Sequence, residues 1–585
     1  MLSRSVGTER VSSITFPCAL FIAALMVATT TAPGRRLRSR TEGGVAIADA
    51  AVRVDRPTGT YRDYVNRTLI FHGLNFVEKR PPFYPRIGAH ELDALEEMGL
   101  NVVRLGVMLS GLYPSSLIPN AEYLDQIRAI IASLWSRNIR TIVDLHQDIL
   151  SPVFCGEGAP SWMINVSQLG SLRFPAPMTF QPSQTADPDP RTGAWAKPMA
   201  TLCDDQTAFR PLGWFDYYMS DAVNKAFAQV YAGPDGRASG GDGRSHVATT
   251  ALPRAFEQYW RDVPRALAGT PGLLAYELLN EPHLGDMWAH PRLALEPGLA
   301  ERVSVGPFMQ RMHRIVRSVD ATTPILFSPA ELNNRLGRSV GYDAAFLPGE
   351  PMAFHIYCLT GTDAAGPTTP LTKALCHVVD HHQIDTRTAD LRRLRTAGFV
   401  TEFGAVDTTT ATGRAEVSYV ASRLDAARPP LSWTYWPSSG APDTTASTGT
   451  PLPVTAAERR TLARTYPRAV AGDVRGFHFD DTTGRFLLEY TPHLPTPPWS
   501  AVQLSSTDRL ENETVIAGAA ALAVTTEISL SRSLVCAAGC HVTVAPEGCC
   551  VVRQAKNTVW VKLVNTSALS LASPSISVTI EPRGN

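Results

Sequence analysis

Two glutamates, Glu281 and Glu402, have the surroundings that acid–base and nucleophilic chemistry require. Each comes at the end of an apolar stretch with the composition of a buried strand, LLAYELLNEP (273–282) and GFVTEFG (398–404). Cleavage of a glycosidic bond needs one carboxyl group that protonates the leaving oxygen and another that attacks the anomeric carbon. Strand ends can hold the two groups about 5 Å apart, as in enzymes that retain the anomeric configuration. A lone glutamate is usually a solvated or salt-bridged surface residue, but this pair predicts a retaining glycosidase.

Other acidic and basic residues lie close to these stretches. Glu277 precedes Glu281 by four residues on the same strand face, roughly 13 Å deeper at about 3.3 Å per residue, which indicates a buried, hydrogen-bonded acid. Asp144 and His146 end a third apolar stretch in VDLHQD. A catalytic zinc site would need a third close ligand and a spacing such as HExxH. We therefore expect Asp144 and His146 to bind sugar hydroxyls, with no metal and no cofactor.

Two aromatic residues also end apolar stretches, Tyr357 in FHIYC and Trp433 in SWTYW. An indole can stack on the apolar face of a sugar ring, and a phenol can hold a carboxylate. Aromatic residues in strands more often fill cores, but the ends of barrel strands form the catalytic face. We expect both side chains to contact the substrate or the nucleophile.

Eight short β-branched or aromatic runs alternate with helical stretches between residues 60 and 440, which predicts parallel strands and an α/β fold. The runs are 68–76, 101–107, 140–146, 273–282, 324–329, 352–358, 398–404 and 431–436. Eight such units predict a (β/α)8 TIM barrel. An open parallel sheet is the alternative, but the sequence has no glycine-rich nucleotide loop after a strand.

The chain divides into a catalytic domain at 60–450 and a C-terminal domain at 455–585. About 125 residues separate the third and fourth strand runs, so a long excursion should wall the active face of the barrel. After residue 455, runs such as TVWVKLV alternate apolar and polar residues and are separated by turns. This pattern predicts an antiparallel β-sandwich that packs against the barrel or binds a surface.

The charge and the cysteines limit the partners and the compartment. Lys+Arg and Asp+Glu are equal at 54 each, so no net charge recruits nucleic acid or anionic lipid. The apolar run near the N-terminus predicts a signal peptide or signal anchor at 1–33. Eight cysteines follow it, and we expect bridges Cys155–Cys203 and Cys358–Cys376 and two more among the last four, rather than a zinc site. Four N-glycosylation sequons agree with a secreted or lumenal protein, and an uncleaved N-terminal signal would anchor it in the membrane.

The motifs around these residues occur together in one order. They are DLHQD (144–148), GAPSWM (158–163), LLNEP (278–282), HIYC (355–358), TEFG (401–404), SWTYW (432–436) and YPRAVAG (466–472). The set resembles glycoside hydrolase family 5, and within it the endoglycoceramidases and their glycosylceramidase relatives. The resemblance covers nearly everything from about residue 60 onward. PILFSPAE (324–331) departs from it, because its one acidic residue, Glu331, does not match the acidic residue that many relatives carry there.

The resemblance implies hydrolysis of the β-linkage between a glycan, or a single sugar, and ceramide. A glycosphingolipid at a membrane surface would be the substrate. Glu402 would be the nucleophile and Glu281 the acid/base. The residues implied to contact the substrate or support the pair are Lys79, Asp144 and His146 at sugar hydroxyls, Asn280 at the 2-hydroxyl, Trp433 under the sugar, Tyr357 and Arg104 at the nucleophile, and His355.

Several alternatives stay open. A β-glucanase would use the same glutamates in an open groove, and a monoglycosylceramidase or steryl-β-glucosidase would use them on a smaller head group. A carbohydrate-binding protein on an inactive barrel would be expected to have lost one of the two glutamates, and both are present.

Overall fold

The eight predicted strand runs form one parallel sheet in the computed structural model, which describes residues 52–203, 213–233, 251–358, 369–437, 454–493, 521–570 and 573–583. The barrel strands are His72–Phe76, Val102–Gly106, Arg140–Asp144, Leu273–Glu277, Ile325–Leu326, Met352–Ile356, Gly398–Phe403 and Ser432–Tyr435. The eighth strand pairs with the first through Trp433 and His72. A single bridge between Phe327 and Met352 joins the fifth and sixth strands. The sheet is therefore a nearly closed barrel.

The first predicted run, 68–76, serves two sheets. Thr68–Leu69 pairs antiparallel with a strand of the C-terminal domain, and the barrel strand begins only at His72. Ile70 accordingly packs in the core of the C-terminal domain, whereas Leu74 packs in the barrel core. The catalytic domain that we predict to begin at residue 60 thus starts with strands of the other sheet.

Amphipathic helices surround the barrel. The helix Ala121–Trp135 follows Asn120, which caps its first turn by accepting a hydrogen bond from the Tyr123 amide. Its apolar residues recur at spacings of three and four, and they are buried. The α-helices are Ala89–Glu97, Leu109–Leu112, Ala121–Trp135, Met199–Cys203, Trp214–Tyr218, Asp221–Ala232, Leu252–Leu267, Arg292–Leu295, Gly306–Arg317, Glu331–Arg335, Pro370–Leu394, Ala411–Ala426 and Ala456–Leu462.

The described part of the long excursion between the third and fourth strands reaches the carboxyl end of the barrel, where the Tyr218 hydroxyl donates to the carbonyl of Glu281. It contains the short hairpin Pro188–Asp189 and Ala194–Trp195. The disulfide Cys155–Cys203 cross-links its first part.

Two antiparallel sheets form the C-terminal domain. One has seven strands in the order Arg53–Asp55, Thr60–Arg62, Thr68–Leu69, Tyr466–Val470, Thr525–Ser529, Thr558–Leu563 and Cys550–Ala555. The other has four in the order Gly472–Phe479, Phe486–Pro492, Ile576–Pro582 and Cys540–Ala545. Buried side chains from both sheets share one apolar core, so the domain is a β-sandwich.

The two predicted disulfides in the catalytic domain are present, but the prediction of two bridges among the last four cysteines is wrong. Cys358–Cys376 forms as predicted, but the last four cysteines supply only the bridge Cys536–Cys540. Once those two are joined, the adjacent Cys549 and Cys550 can pair only with each other, and both are free thiols. The predicted signal segment lies outside the described residues. Among the residues that are described, no helix has the length and apolar character needed to cross a membrane.

Candidate active site

The structure brings the two predicted glutamates together at the carboxyl end of the barrel. Glu281 follows the fourth strand and Glu402 is the last residue but one of the seventh, and both side chains are almost fully buried. His355 Nδ1 lies 3.0 Å from Glu281 Oε1 and 3.4 Å from Glu402 Oε2. These two carboxylate oxygens are therefore at most 6.4 Å apart, the sum of the two distances.

Glu402 is held through both of its oxygens. Arg104 Nη1 donates to Oε1 at 2.7 Å, and the Tyr357 hydroxyl donates to Oε2 at 2.8 Å. Burial, together with the nearby charges of Glu402 and Glu281, raises the pKa of Tyr357 well above its usual value. The phenol therefore keeps its proton and remains a hydrogen-bond donor. The predicted contacts of Arg104 and Tyr357 with this glutamate are both present.

Arg104 is the centre of a buried polar network beneath the site. Its Nε donates to Glu277 at 2.6 Å and its Nη2 donates to Asn280 Oδ1 at 2.8 Å, while Asp144 lies 3.1 Å away. Burial lowers the pKa of Arg104, but Asp144, Glu277 and Glu402 raise it well above its usual value. Glu277 is thus the buried, hydrogen-bonded acid that its position in the strand predicts, and it orients the guanidinium group.

Asn280 and Glu281 sit on a strained turn that the excursion stabilises. Glu281 has a φ of 42°, which is unfavourable for a residue with a Cβ. Gln147 Nε2 donates to the carbonyl of Asn280 at 2.8 Å, and the Tyr218 hydroxyl donates to that of Glu281 at 2.9 Å. These bonds hold the turn that directs Glu281 toward Glu402.

The Glu281 carboxyl has two cationic neighbours. His355 is one, and Arg335 Nη2 lies 3.6 Å from Glu281 Oε1. Burial raises the pKa of Glu281, but His355 and Arg335 outweigh it and the pKa is lowered. Burial lowers the pKa of His355, but Glu402 and Glu281 raise it to about 9, so the imidazolium form donates to Glu281. Burial and the charge of Glu281 raise the pKa of Glu331 to about 8.

One group of side chains in the described part of the chain has the geometry of a metal site. Ligand atoms of Glu281, Glu331 and His355 lie within 4.8 Å of one another. Arg335 Nε donates to Glu331 Oε1 at 2.5 Å and its Nη2 also lies beside Glu281. The negative charge that would attract a metal ion is thus already matched by a guanidinium group.

Lys79 lies at the exposed rim of the site, whereas His146 and Asp144 are both buried beneath it. The His146 ring donates from Nδ1 to Asp144 at 2.8 Å and from Nε2 to Asp148 at 3.2 Å, and Lys79 Nζ lies 2.5 Å from Asp148. Asp144 is fully buried between His146 and Arg104, and its contact with sugar hydroxyls stays a prediction. Its carboxylate orients the two cations, and Asp148 is the acid at the surface of the site.

Trp433 does not lie under the sugar site, where the sequence predicts it. Its side chain is fully buried and packs between His72, at a ring distance of 4.1 Å, and Phe403, at 5.3 Å. Trp436, three residues later, is only partly buried. It stacks on His146 with ring centroids 5.6 Å apart and lies 5.5 Å from Lys79 Nζ. Trp436 is therefore the indole that faces the site.

The residues that sequence reasoning missed had signals of unequal strength. Asp148 shares the two-residue period of Asp144 and His146, and Trp436 lies on the opposite strand face from Trp433, so strand periodicity could have found both. Glu331 and Arg335 belong to the helix Glu331–Arg335 after the fifth strand. Nothing local in their sequence shows that this helix turns them toward Glu281.

Comparisons with known proteins agree with this architecture. The family model described as cellulase (glycosyl hydrolase family 5) matches residues 82–441, and the glycoside hydrolase family 5 C-terminal domain matches residues 464–579. An endoglycoceramidase of Hydra vulgaris is 28% identical over 464 residues, which cover 76% of this chain and 78% of the relative. An endoglycoceramidase of Cyanea nozakii is 28% identical over 470 residues, covering 76% and 83%.

Among solved structures, the fold is similar to that of endo-glycoceramidase II from Rhodococcus sp. in a complex with ganglioside GM3. The TM-score is 0.62 at 20% identity, and the match covers 89% of this chain and 99% of that one. The cellulase model spans well over half of the sequence. The chain belongs to glycoside hydrolase family 5.

Proposed function

We propose that this enzyme is a retaining β-glycosidase in which Glu402 is the nucleophile and Glu281 the acid/base. The observation that carries the proposal is the contact of one His355 nitrogen with both carboxyl groups, which limits their facing oxygens to 6.4 Å. Retaining glycosidases place these groups about 5–5.5 Å apart, whereas inverting enzymes need about 6.5–9.5 Å to admit a water molecule.

The first step forms a covalent intermediate. A Glu402 oxygen bonds to the anomeric carbon as the bond to the leaving oxygen breaks, and Glu281 gives its proton to that oxygen. In the second step Glu281 takes a proton from water, the water oxygen bonds to the anomeric carbon, and Glu402 is released. Arg104 and Tyr357 hold Glu402 in line for the attack. Asn280 presents its amide beside the reacting sugar.

The substrate we propose is a glycosphingolipid, cleaved between the glycan and ceramide. Three curated relatives carry the name endoglycoceramidase, two at 28% and one at 25% identity, each matched over about three quarters of this chain. A site built from Lys79, His146, Asp148 and Trp436 also suits a sugar, because it combines charged hydrogen-bonding groups with one exposed indole face. The glycolipid would be taken from a membrane surface.

We propose that the enzyme works outside the cytosol, as a secreted or lumenal protein. The three disulfides support this, because such bonds persist in oxidising compartments. The N-terminal apolar run supports it as well.

A panel of substrates tests the proposed function. Purified enzyme is incubated separately with ganglioside, lactosylceramide, glucosylceramide, steryl glucoside and cellulose, and the products are identified by mass spectrometry. We expect intact oligosaccharide and ceramide from the first two. Activity confined to glucosylceramide or steryl glucoside would assign the enzyme to a monoglycosidase instead, and activity confined to cellulose would make it a glucanase.

A further inference from the structure

The acid/base glutamate lies in a charged environment that works against its first task. Glu281 must carry a proton when the glycosidic bond breaks, yet His355 lies 3.0 Å and Arg335 3.6 Å from its Oε1. Both cations favour the ionised carboxylate. Another group in the site must therefore counter the effect of these two cations on the ionisation of Glu281.

The titratable and charged groups that surround Glu281 come from five parts of the fold. They are Asp148 after the third strand, Tyr218 in the excursion, Glu331 and Arg335 on the helix after the fifth strand, His355 and Tyr357 on and after the sixth strand, and Glu402 on the seventh. Among them, Glu331 both binds one of the cations and brings a second carboxyl group near Glu281.

Arg335 is shared unequally between the two glutamates. Its Nε donates to Glu331 Oε1 at 2.5 Å, whereas its Nη2 is 3.6 Å from Glu281. The Arg335 guanidinium lies 4.9 Å from the Trp214 ring and 5.8 Å from the Tyr357 ring, which limits its movement. Glu331 therefore keeps the guanidinium from making a close hydrogen bond with Glu281.

Glu331 is fixed in this position by the backbone around the site. Its amide donates to the carbonyl of Pro282, the residue that follows Glu281, at 2.9 Å. Asn334 Nδ2, on the same short helix, donates to the carbonyl of His355 at 3.0 Å. Glu331 is buried, and an oxygen of its carboxyl group lies within 4.8 Å of a Glu281 oxygen. Two carboxyl groups at that distance resist ionising together, so one proton is retained between them.

This inference rests on the proposed function: we propose that Glu331 is a positioning residue that keeps a proton available to Glu281 for the first catalytic step, by engaging Arg335 and by placing a second carboxyl group beside Glu281. Replacing Glu331 by glutamine releases Arg335 toward Glu281 and removes the second carboxyl group, so Glu281 no longer shares a proton and faces both cations alone. Both effects favour ionised Glu281. The raised pKa of Glu331, about 8, agrees with a proton that the pair retains near neutral pH.

The test compares pH profiles of kcat/KM for the full chain and for Glu331→Gln on two substrates. One is lactosylceramide, whose leaving oxygen needs a proton, and the other is 2,4-dinitrophenyl β-lactoside, whose leaving group does not. We expect the alkaline limb on lactosylceramide to move about one pH unit lower, which is about a tenfold loss on that limb. The dinitrophenyl substrate should keep its kcat/KM within about twofold.

Arg335→Gln is the matched variant and should move the same limb to higher pH, because it removes a cation beside Glu281. It tests the proposal even if Glu331→Gln does not fold. The inference would be overturned if the alkaline limbs of both variants coincided with that of the unmodified enzyme. Equal losses of kcat/KM on the two substrates would also overturn it, because they indicate a structural role. If the unmodified enzyme hydrolyses neither substrate, it is the proposed function that fails.

Discussion

At the residue scale, each reacting carboxyl group is controlled by a different kind of partner. Glu402 receives direct hydrogen bonds from Arg104 and Tyr357, which leave it little freedom to rotate. Glu281 receives a hydrogen bond from His355 and lies 3.6 Å from Arg335, and its backbone is held on a strained turn. A nucleophile must be aligned, whereas an acid/base must lose and regain a proton in each cycle, so the difference suits the two roles.

The two tryptophans of the eighth strand provide a prediction at this scale. Trp436→Ala should lower kcat/KM about tenfold and leave the melting temperature nearly unchanged, because the indole lies at the rim beside Lys79. Trp433→Ala should destabilise the fold by about 3–5 kcal/mol, because it empties a fully buried site. Steady-state kinetics and thermal unfolding on the two variants measure both effects. A stable Trp433→Ala enzyme with a raised KM would reverse the assignment.

At the scale of elements, the sequence allowed the order of the strands to be predicted but not every side chain that they direct inward. Apolar runs at regular spacing predict parallel strands, motifs at their ends predict Glu281, Glu402 and Tyr357, and the family resemblance implies Arg104. Trp433 was chosen wrongly because both faces of a barrel strand are buried, so hydrophobicity does not distinguish the face that reaches the site. Contacts such as that of Arg335 depend on how a helix packs after its strand, which no local pattern encodes.

Two helices behind the sixth and seventh strands carry a buried pair of acids. Asp380 lies on Pro370–Leu394 and Glu416 on Ala411–Ala426, and His377 Nε2 is 3.2 Å from Glu416. Burial, and then the neighbouring Glu416, raise the pKa of Asp380 to about 9. The unfolded carboxyl ionises near pH 4, so the folded state loses stability as pH rises from about 4 to 9.

Replacing this acid should stabilise the enzyme at alkaline pH. We expect Asp380→Asn to raise the melting temperature at pH 8 by about 2 °C or more, and to give little or no gain at pH 4.5, where the folded carboxyl is protonated at no cost. Asp385→Asn on the same helix is the control, because its side chain is 60% exposed. A gain for Asp380→Asn that is the same at both pH values would show that ionisation is not the cause.

At the scale of the whole molecule, the sandwich docks on the barrel through the turn after the helix Ala89–Glu97. The Gly99 carbonyl accepts hydrogen bonds from the Tyr466 hydroxyl at 3.0 Å and from Ser529 Oγ at 2.8 Å. Gly99 has a φ of +75°, and a Cβ there would lie 2.6 Å from Ser529 Oγ. The contact between domains therefore depends on a residue without a side chain.

Gly99→Ala should consequently cost more stability than an ordinary glycine substitution. Gly170→Ala is the matched control, with a φ of +61° and no atom within 4 Å of the added Cβ. Both variants incur the backbone cost of about 1–2 kcal/mol, and the clash should add about 1–3 kcal/mol for Gly99→Ala alone. Urea unfolding measures the difference. Adding Ser529→Ala should remove the extra loss, and equal losses at the two glycines would mean that the clash is absent.

The most direct test of the central claim is to trap the glycosyl-enzyme. The enzyme is incubated with 2,4-dinitrophenyl 2-deoxy-2-fluoro-β-lactoside, whose fluorine slows the second step, and is then digested with trypsin for mass spectrometry. We predict one fluorolactosyl group on the peptide Thr396–Arg414, in which Glu402 is the only glutamate. A label on a different residue, or a first product of inverted anomeric configuration with an active substrate, would contradict the retaining mechanism on Glu402.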